Sequence, residues 1–534
     1  MTVNNRATDR RLALARLLGS RRPRLGARQR AALTALLPAA VVACVCPAPL
    51  HAEAVRAKTD SGIVVGDTGG QVEWFKGIPY ARPPVGPLRW RPPEPPAPWK
   101  APLQATRFGP SCPQGADLRN LAPDSGAART SEDCLTLNVW APRHPAKPLP
   151  VMVWLHGGGN EVGGTGDVFF DGSAFARDGI VLVSANYRLG ALGFFAHPAL
   201  TREAGKDQPL ADYGLMDQIA ALRWVRRNVS AFGGNPSDVT LFGESAGGED
   251  VLLLMTAPSA RGLFGKAIVE SGGGWNHLTS LTEAEKSGVA IAAKIGLEHA
   301  TSAQLRAVPA GRLVALGGDD ESGPAVDGRL LPESPLASFR AGHAADVPLI
   351  IGTNGDEGVL LGRSPPDPAS LFSLAPQDLE TLRGLYDGEA ANDARLSRAL
   401  WRDGFFTAPS RWIAAHEAGG APAYLYRFDY VLSLLRSRRP GAYHGSEIPY
   451  VFESWRLPLL AADDQAMTRA LHGCWVAFAK TGVPACPGVP AWPPYDPARD
   501  LVMHFGDRIE VVPCPDRAAL ELLTRRLPSL DGSR

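Results

Sequence analysis

This chain lacks a surplus of either charge: over 534 residues Lys and Arg exceed Asp and Glu by one, and only 20% of residues are charged. That balance excludes a highly charged disordered chain, and a nucleic-acid-binding protein, as descriptions of the whole. No H-E-x-x-H and no Cys/His cluster is present, so neither a metal nor an organic cofactor is expected. No internal repeat and no Gly/Ser linker divides the sequence, which favours one domain with insertions. Its one long apolar stretch, 31–50, is interrupted by Pro38 and Pro47 and followed by polar chain, so a stable membrane span is not expected. What the chain does have is apolar material, 45% of its residues, ample for a sizeable core.

The charge is unevenly spread. Residues 1–54 carry nine Arg, no Lys and two acids, Asp9 and Glu53, a net of +7. An Arg-rich run to Arg30, the apolar stretch and the small residues Ala52 and Ala54 read as a cleavable export signal, with residues 55–534 as a single domain. Cys44 in "VVAC" offers a lipid-attachment alternative, and the paired arginines a twin-arginine one. Secretion or a periplasmic location is the expectation. Of seven cysteines, Cys112, Cys134, Cys474, Cys486 and Cys514 remain beyond the signal, so at least one is unpaired. Cys112 and Cys134 bracket a polar stretch that a bridge would close. Cys486 and Cys514, in Pro-rich coil, form a plausible second pair, leaving Cys474, within a helical pattern, as a buried thiol.

Short apolar runs alternate with longer helical patterns, which predicts an α/β fold with a central, mostly parallel sheet. Candidate strands are 150–156, 179–187, 238–244, 266–271, 348–354 and 423–431, with a short one in "LVMHF". Between the second and third, residues 213–229 place Leu215, Ile219, Leu222 and Val225 on one helical stripe. The Pro-rich segment 81–99 reads as extended surface coil, and residues 360–420 as part of a helical cap.

"GESAG", 243–247, fits G-x-S-x-G between a strand and an apolar helical run, the setting in which a strained turn projects a serine hydroxyl into a cleft. A helix-capping serine is the bland alternative. Attack on a carbonyl creates an oxyanion, which needs preorganised N–H donors. "LHGGGN" supplies glycine peptides free to approach a substrate, and Gly158, Gly159 and the Ala246 N–H make a three-donor hole. The chain order Ser, acid, His leaves His416, His444, His472 and His504 after the acid candidates Asp356 and Glu357 in "GTNGDEG". His444, on a Gly-flanked loop, is the best placed base; the other three lie in helical or strand patterns.

These residues carry a resemblance. "GIPYARPPVGPLRW", "SEDCLTLNVW", "NYRLGALGFF", "GLMDQIAALRWVRRNVSAFGGNPSDVTLFGESAGG", "DEG", "GAYHGSEIPYVF" and "AFAKTGVPACPGVPAWPPYD" are similar, in order, to the type-B carboxylesterases, the cholinesterase and bacterial carboxylesterase family on the α/β-hydrolase fold. The resemblance implies Ser245 as nucleophile, Glu357 as orienting acid, His444 as base, Gly158, Gly159 and Ala246 as oxyanion hole, and a Cys112–Cys134 bridge. Glu244 resembles the family's site glutamate.

The departures are Asn160 where an aromatic residue is usual and Glu249-Asp250 where a small-x-Ser is usual. Asn160 is expected to line the site and to offer a donor to the acyl oxygen. Glu249 and Asp250 in a helix's first turn favour its dipole, which is the bland reading; the alternative is that Glu161, Glu244, Glu249, Asp250 and Glu270 crowd one polar cleft that accepts amine-bearing or hydroxyl-rich esters. In the cholinesterases of the resembled family a tryptophan in this loop receives the choline head; none lies between Cys112 and Cys134 here, which argues against choline esters. Leu118 and Leu121 alone make too small an apolar lid for lipids. The expected reaction is hydrolysis of a small-molecule carboxylic ester through an acyl-enzyme. An amidase or lactonase on the same triad, and a noncatalytic binding module, are the alternatives; retention of Ser245, Glu357 and His444 together argues against the last.

Overall fold

The computed structural model describes residues 54–525 apart from 116–128, 207, 274–277, 317–322, 373, 387, 389, 418–419 and 456–459. The export-signal reading and the Leu118/Leu121 lid therefore lie outside the described residues.

The strands are β1 (Val55–Thr59), β2 (Gly62–Gly69), β3 (Val72–Pro79), β4 (Thr136–Pro142), β5 (Leu149–Leu155), β6 (Val181–Ala185), β7 (Gly234–Glu244), β8 (Lys266–Glu270), β9 (Leu349–Asn354), β10 (Ala423–Phe428), β11 (Leu501–Phe505) and β12 (Ile509–Pro513). They lie side by side in the order β1-β2-β3-β4-β6-β5-β7-β8-β9-β10-β11-β12, and a short strand, Leu103–Gln104, pairs with β2. From β6 to β11 every neighbouring pair is parallel, while the flanking pairs are antiparallel. Parallel strands covered on both faces read as continuous apolar runs. β6 and β9 show this, since every residue in them is buried.

The main helices follow from pattern and capping. In α1 (Tyr213–Asn228) the stripe Leu215, Ile219, Leu222 and Val225 is buried, as predicted. α2 (Ala246–Thr256) follows β7 after a single residue and is buried almost throughout. The region 360–420 folds into α3 (Pro376–Leu385), α4 (Asp393–Trp401) and α5 (Ala408–Glu417), with a π-helical segment, Arg402–Thr407, joining the last two. α6 (Ala462–Thr481) carries Trp475, Phe478 and Leu471 into the core on the other face. Segment 81–99 holds one 3-10 turn, Gly86–Leu88, and is otherwise irregular. No helix among the described residues is long and apolar enough to cross a membrane.

Two disulfides are present. Cys112 is bonded to Cys134, with Cα atoms 5.1 Å apart. The second corrects the sequence reading: Cys486 pairs with Cys474, not with Cys514, which is the buried free thiol. The chain leaving α6 turns back at Gly482, in the left-handed region (φ 76°), and brings Cys486 within 4.8 Å of Cys474 between Cα atoms. A helical pattern says which face a cysteine occupies, not which coil returns to it.

Candidate active site

Every element that contributes to the site ends at the carboxyl edge of the parallel strands, where open α/β sheets place ligands. β7 stops at Glu244, and Ser245 turns the chain at φ 57°, ψ −129° before α2 begins. A non-glycine residue at such angles is strained. The turn stays tight because its neighbours have no side chain. A Cβ on Gly247 would lie 2.2 Å from the Leu155 carbonyl oxygen, and one on Gly243 would lie 2.4 Å from that of Gly247.

The loop after β9 supplies Glu357, fully buried, and the loop after β10 supplies His444. With the proton on Nδ1, His444 donates to Glu357 Oε2 at 2.6 Å, and Nε2 lies 2.7 Å from Ser245 Oγ, which donates to it. The other Glu357 oxygen accepts from Ser271 Oγ at 2.5 Å and from the Asn354 N–H at 2.8 Å. All three carboxylate contacts therefore hold the acid in one pose against the imidazole. His416, His472 and His504 bond elsewhere, to Trp412, to Val451 and Asp178, and to Asp429.

Glu244 Oε1 sits 3.3 Å from His444 Nε2, with its side chain buried. Burial disfavours the imidazolium, but the charges of Glu357 and then Glu244 outweigh it and hold the His444 pKa above the ordinary histidine value. Burial pushes the Glu244 carboxyl up, against the pull of His444. Burial and the Glu244 charge push Glu447 up in the same way.

Gly158 (φ 117°) and Gly159 (φ 64°) follow β5 in backbone conformations that favour glycine. A Cβ on Gly158 would strike the Val162 carbonyl at 2.2 Å, whereas Gly159 faces open space. Among the described residues no acceptor within the chain engages the N–H of Gly158, Gly159 or Ala246. Beneath this loop His156 is buried, stacked on Tyr187 at 4.5 Å, and burial lowers its pKa to about 4, so it is neutral there.

Two of the sequence departures prove to be one contact. The Asn160 amide nitrogen donates to Asp250 Oδ1 at 3.0 Å, and Gln218 binds the other Asp250 oxygen. All three side chains are buried. Burial raises the Asp250 pKa to about 7 despite these donors. The alternative of a crowd of acids in one cleft is corrected: Asp250 and Glu270 are fully buried on Asn160 and Trp475 respectively, and Glu161 is exposed. Glu244 is the one of the five in ion-pair range of His444. Glu249, half-buried in the first turn of α2, has its pKa raised to about 8 by burial and then by Asp250.

Sequence reasoning did not single out Ser271, at φ 48° after β8, or Phe406, whose ring centroid lies 5.4 Å from that of His444. A serine after "KAIVE" and an aromatic pair in a helical run carry no distinctive signal. The π-helical turn that brings Phe406 inward depends on tertiary packing.

A strand, a strained serine, a helix and a carboxylate-held imidazole on the edge of a mostly parallel sheet define an α/β-hydrolase. Residues 53–518 match the model of the carboxylesterase family, and the chain belongs to that family. It is 36% identical to the para-nitrobenzyl esterase of Bacillus subtilis (strain 168) over 466 residues, 82% of this chain and 92% of that protein. It is 37% identical to the fumonisin B1 esterase of Sphingopyxis macrogoltabida, covering 84% of this chain and 86% of that one. A solved structure of PNB esterase superposes with a TM-score of 0.77 at 34% identity, over 88% of this chain and 99% of the other. The protein is a carboxylic ester hydrolase.

Proposed function

We propose that the ester is cleaved through an acyl-enzyme formed on Ser245. The observation that carries this reading is the unbroken chain from Ser245 Oγ through His444 to Glu357, at 2.7 and 2.6 Å. Ser245 Oγ attacks the ester carbonyl carbon as His444 Nε2 takes its proton, and Glu357 stabilises the imidazolium that forms. The oxyanion is received by the N–H groups of Gly158, Gly159 and Ala246. His444 then returns the proton to the departing alcohol, and a water, activated by the same nitrogen, attacks the acyl carbon to release the acid and restore Ser245. The chemistry needs no metal or organic cofactor. An amidase or lactonase would use the same steps, and a panel of matched esters and amides separates them.

The substrate class is that of small esters without a choline head, in keeping with relatives named for para-nitrobenzyl esters and fumonisin B1. The Arg-rich, apolar residues 1–54 are read as an export signal, which the two disulfides support, since such bonds persist in oxidising compartments. Rapid mixing with a para-nitrophenyl ester tests the mechanism. A burst of one nitrophenolate per enzyme, abolished in Ser245→Ala, is expected; turnover retained in that variant would reject the assignment.

A further inference from the structure

A cleft of about 830 Å3 is lined by residues on either side of the acid and base loops but by none of Ser245, Glu357 or His444. Asp356 precedes Glu357, and Gly441 lies three residues before His444. The wall carries seven arginines against two aspartates. Two of the arginines are neutralised locally: Arg402 pairs with Asp403 and Asp516, and Arg427 pairs with Asp429 at 2.8 Å. Asp429 is shared further with His504.

The other five, Arg363, Arg395, Arg398, Arg438 and Arg439, form no ion pair with a carboxylate of a described residue. Arg398, half-buried, bonds only to the carbonyls of Gly358 and Gly362, and Arg439 lies 4.9 Å over the Tyr443 ring. These cations come from three separate segments: the end of the acid loop, α4, and the loop leading to His444. Like charges drawn to one concavity repel unless an anion shares it. The cavity is large enough for a small organic molecule. The planar fork of arginine matches the paired oxygens of carboxylate and phosphate.

We propose that this cleft binds a small polyanion bearing two or more carboxylate or phosphate groups, at a site separate from the ester-hydrolysing centre. The ligand bridges α4 and the loop before His444, so that its charge is divided among guanidinium groups that make no direct ion pair with a described carboxylate, Arg398 and Arg439 sharing the nearby charge of Asp356. The proposal does not depend on the acyl-enzyme reading.

Calorimetric titration of the full chain with citrate and with pyrophosphate, at constant ionic strength and with acetate as a monovalent control, tests it. Saturable binding of at least one polyanion is expected, with acetate showing none. Affinity should fall at least tenfold in Arg438→Gln/Arg439→Gln and, separately, in Arg398→Gln, and should be unchanged in Ser245→Ala. Whichever probe binds tighter distinguishes a polycarboxylate from a polyphosphate ligand. Hydrolysis of an uncharged ester by the double variant, retained within about twofold, shows that the variant is folded. No saturable binding, equal affinity in the arginine variants, or binding lost in Ser245→Ala would each overturn the proposal.

Discussion

At the scale of single residues, the candidate site sets two carboxylates, Glu357 and Glu244, around the imidazole of His444. Glu357 is held by Ser271 and Asn354 as well as by His444, so removing one donor loosens the pose without exposing the charge. Ser271→Ala should lower kcat about tenfold, the cost of one hydrogen bond to a charged group, with KM little changed. Steady-state kinetics on an uncharged ester check this. Glu244 acts on the same imidazole through its charge. In the proposed mechanism His444 must be neutral to accept the Ser245 proton, and a nearby carboxylate raises its pKa, so activity is expected to fall as pH drops through that raised value. Glu244→Gln removes one such charge and should move the acidic limb of kcat/KM to lower pH. A limb that stays in place, or moves upward, would contradict this account of Glu244.

At the scale of elements, the decisive piece is the contact between the ends of β5 and β7 and the start of α2. Gly247 packs against the Leu155 and His156 carbonyls so closely that even a methyl group has no room. Gly247→Ala should therefore disturb the turn that exposes Ser245, lowering both the melting temperature and activity, whereas an alanine at Gly265, which meets nothing within 4 Å and has no positive φ, should leave both unchanged. Much of this scale was legible beforehand, because buried parallel strands and amphipathic helices write their period into the chain: the apolar runs around Val153, Leu241, Val269 and Ile351 are core strands of the sheet. The antiparallel strands β1 to β4 escaped notice. β1 and β2 mix exposed and buried positions, β3 holds an irregularity between Phe75 and Ile78 that blurs alternation, and β4 is buried at all but its last residue and shows no alternation. The Asn160–Asp250 contact was also out of reach, since it joins residues 90 positions apart. Motif order could name both as departures but could not show that they touch.

At the scale of the whole molecule, the covalent staples set a limit on what pattern can reveal. The Cys474–Cys486 bond ties α6 to the coil that follows it, across a separation of 12 residues. Closing a loop of that size is worth about 3 kcal/mol through the unfolded state. Cys474→Ser/Cys486→Ser should lower stability by about that amount, and Cys514→Ser should not reproduce the effect; denaturant unfolding under non-reducing conditions measures both. Equal losses from the two variants would mean that Cys514 takes part in the bonding.

The most direct measurement of the central claim is the mass of the peptide containing Ser245 after treatment with a fluorophosphonate and after acid quenching during turnover of a slow ester. The expected result is a single phosphonyl or acyl adduct on Ser245, with labelling greatly slowed in His444→Ala and absent in Ser245→Ala. An adduct on another residue, or full turnover with Ser245 unmodified and replaceable, would contradict the account.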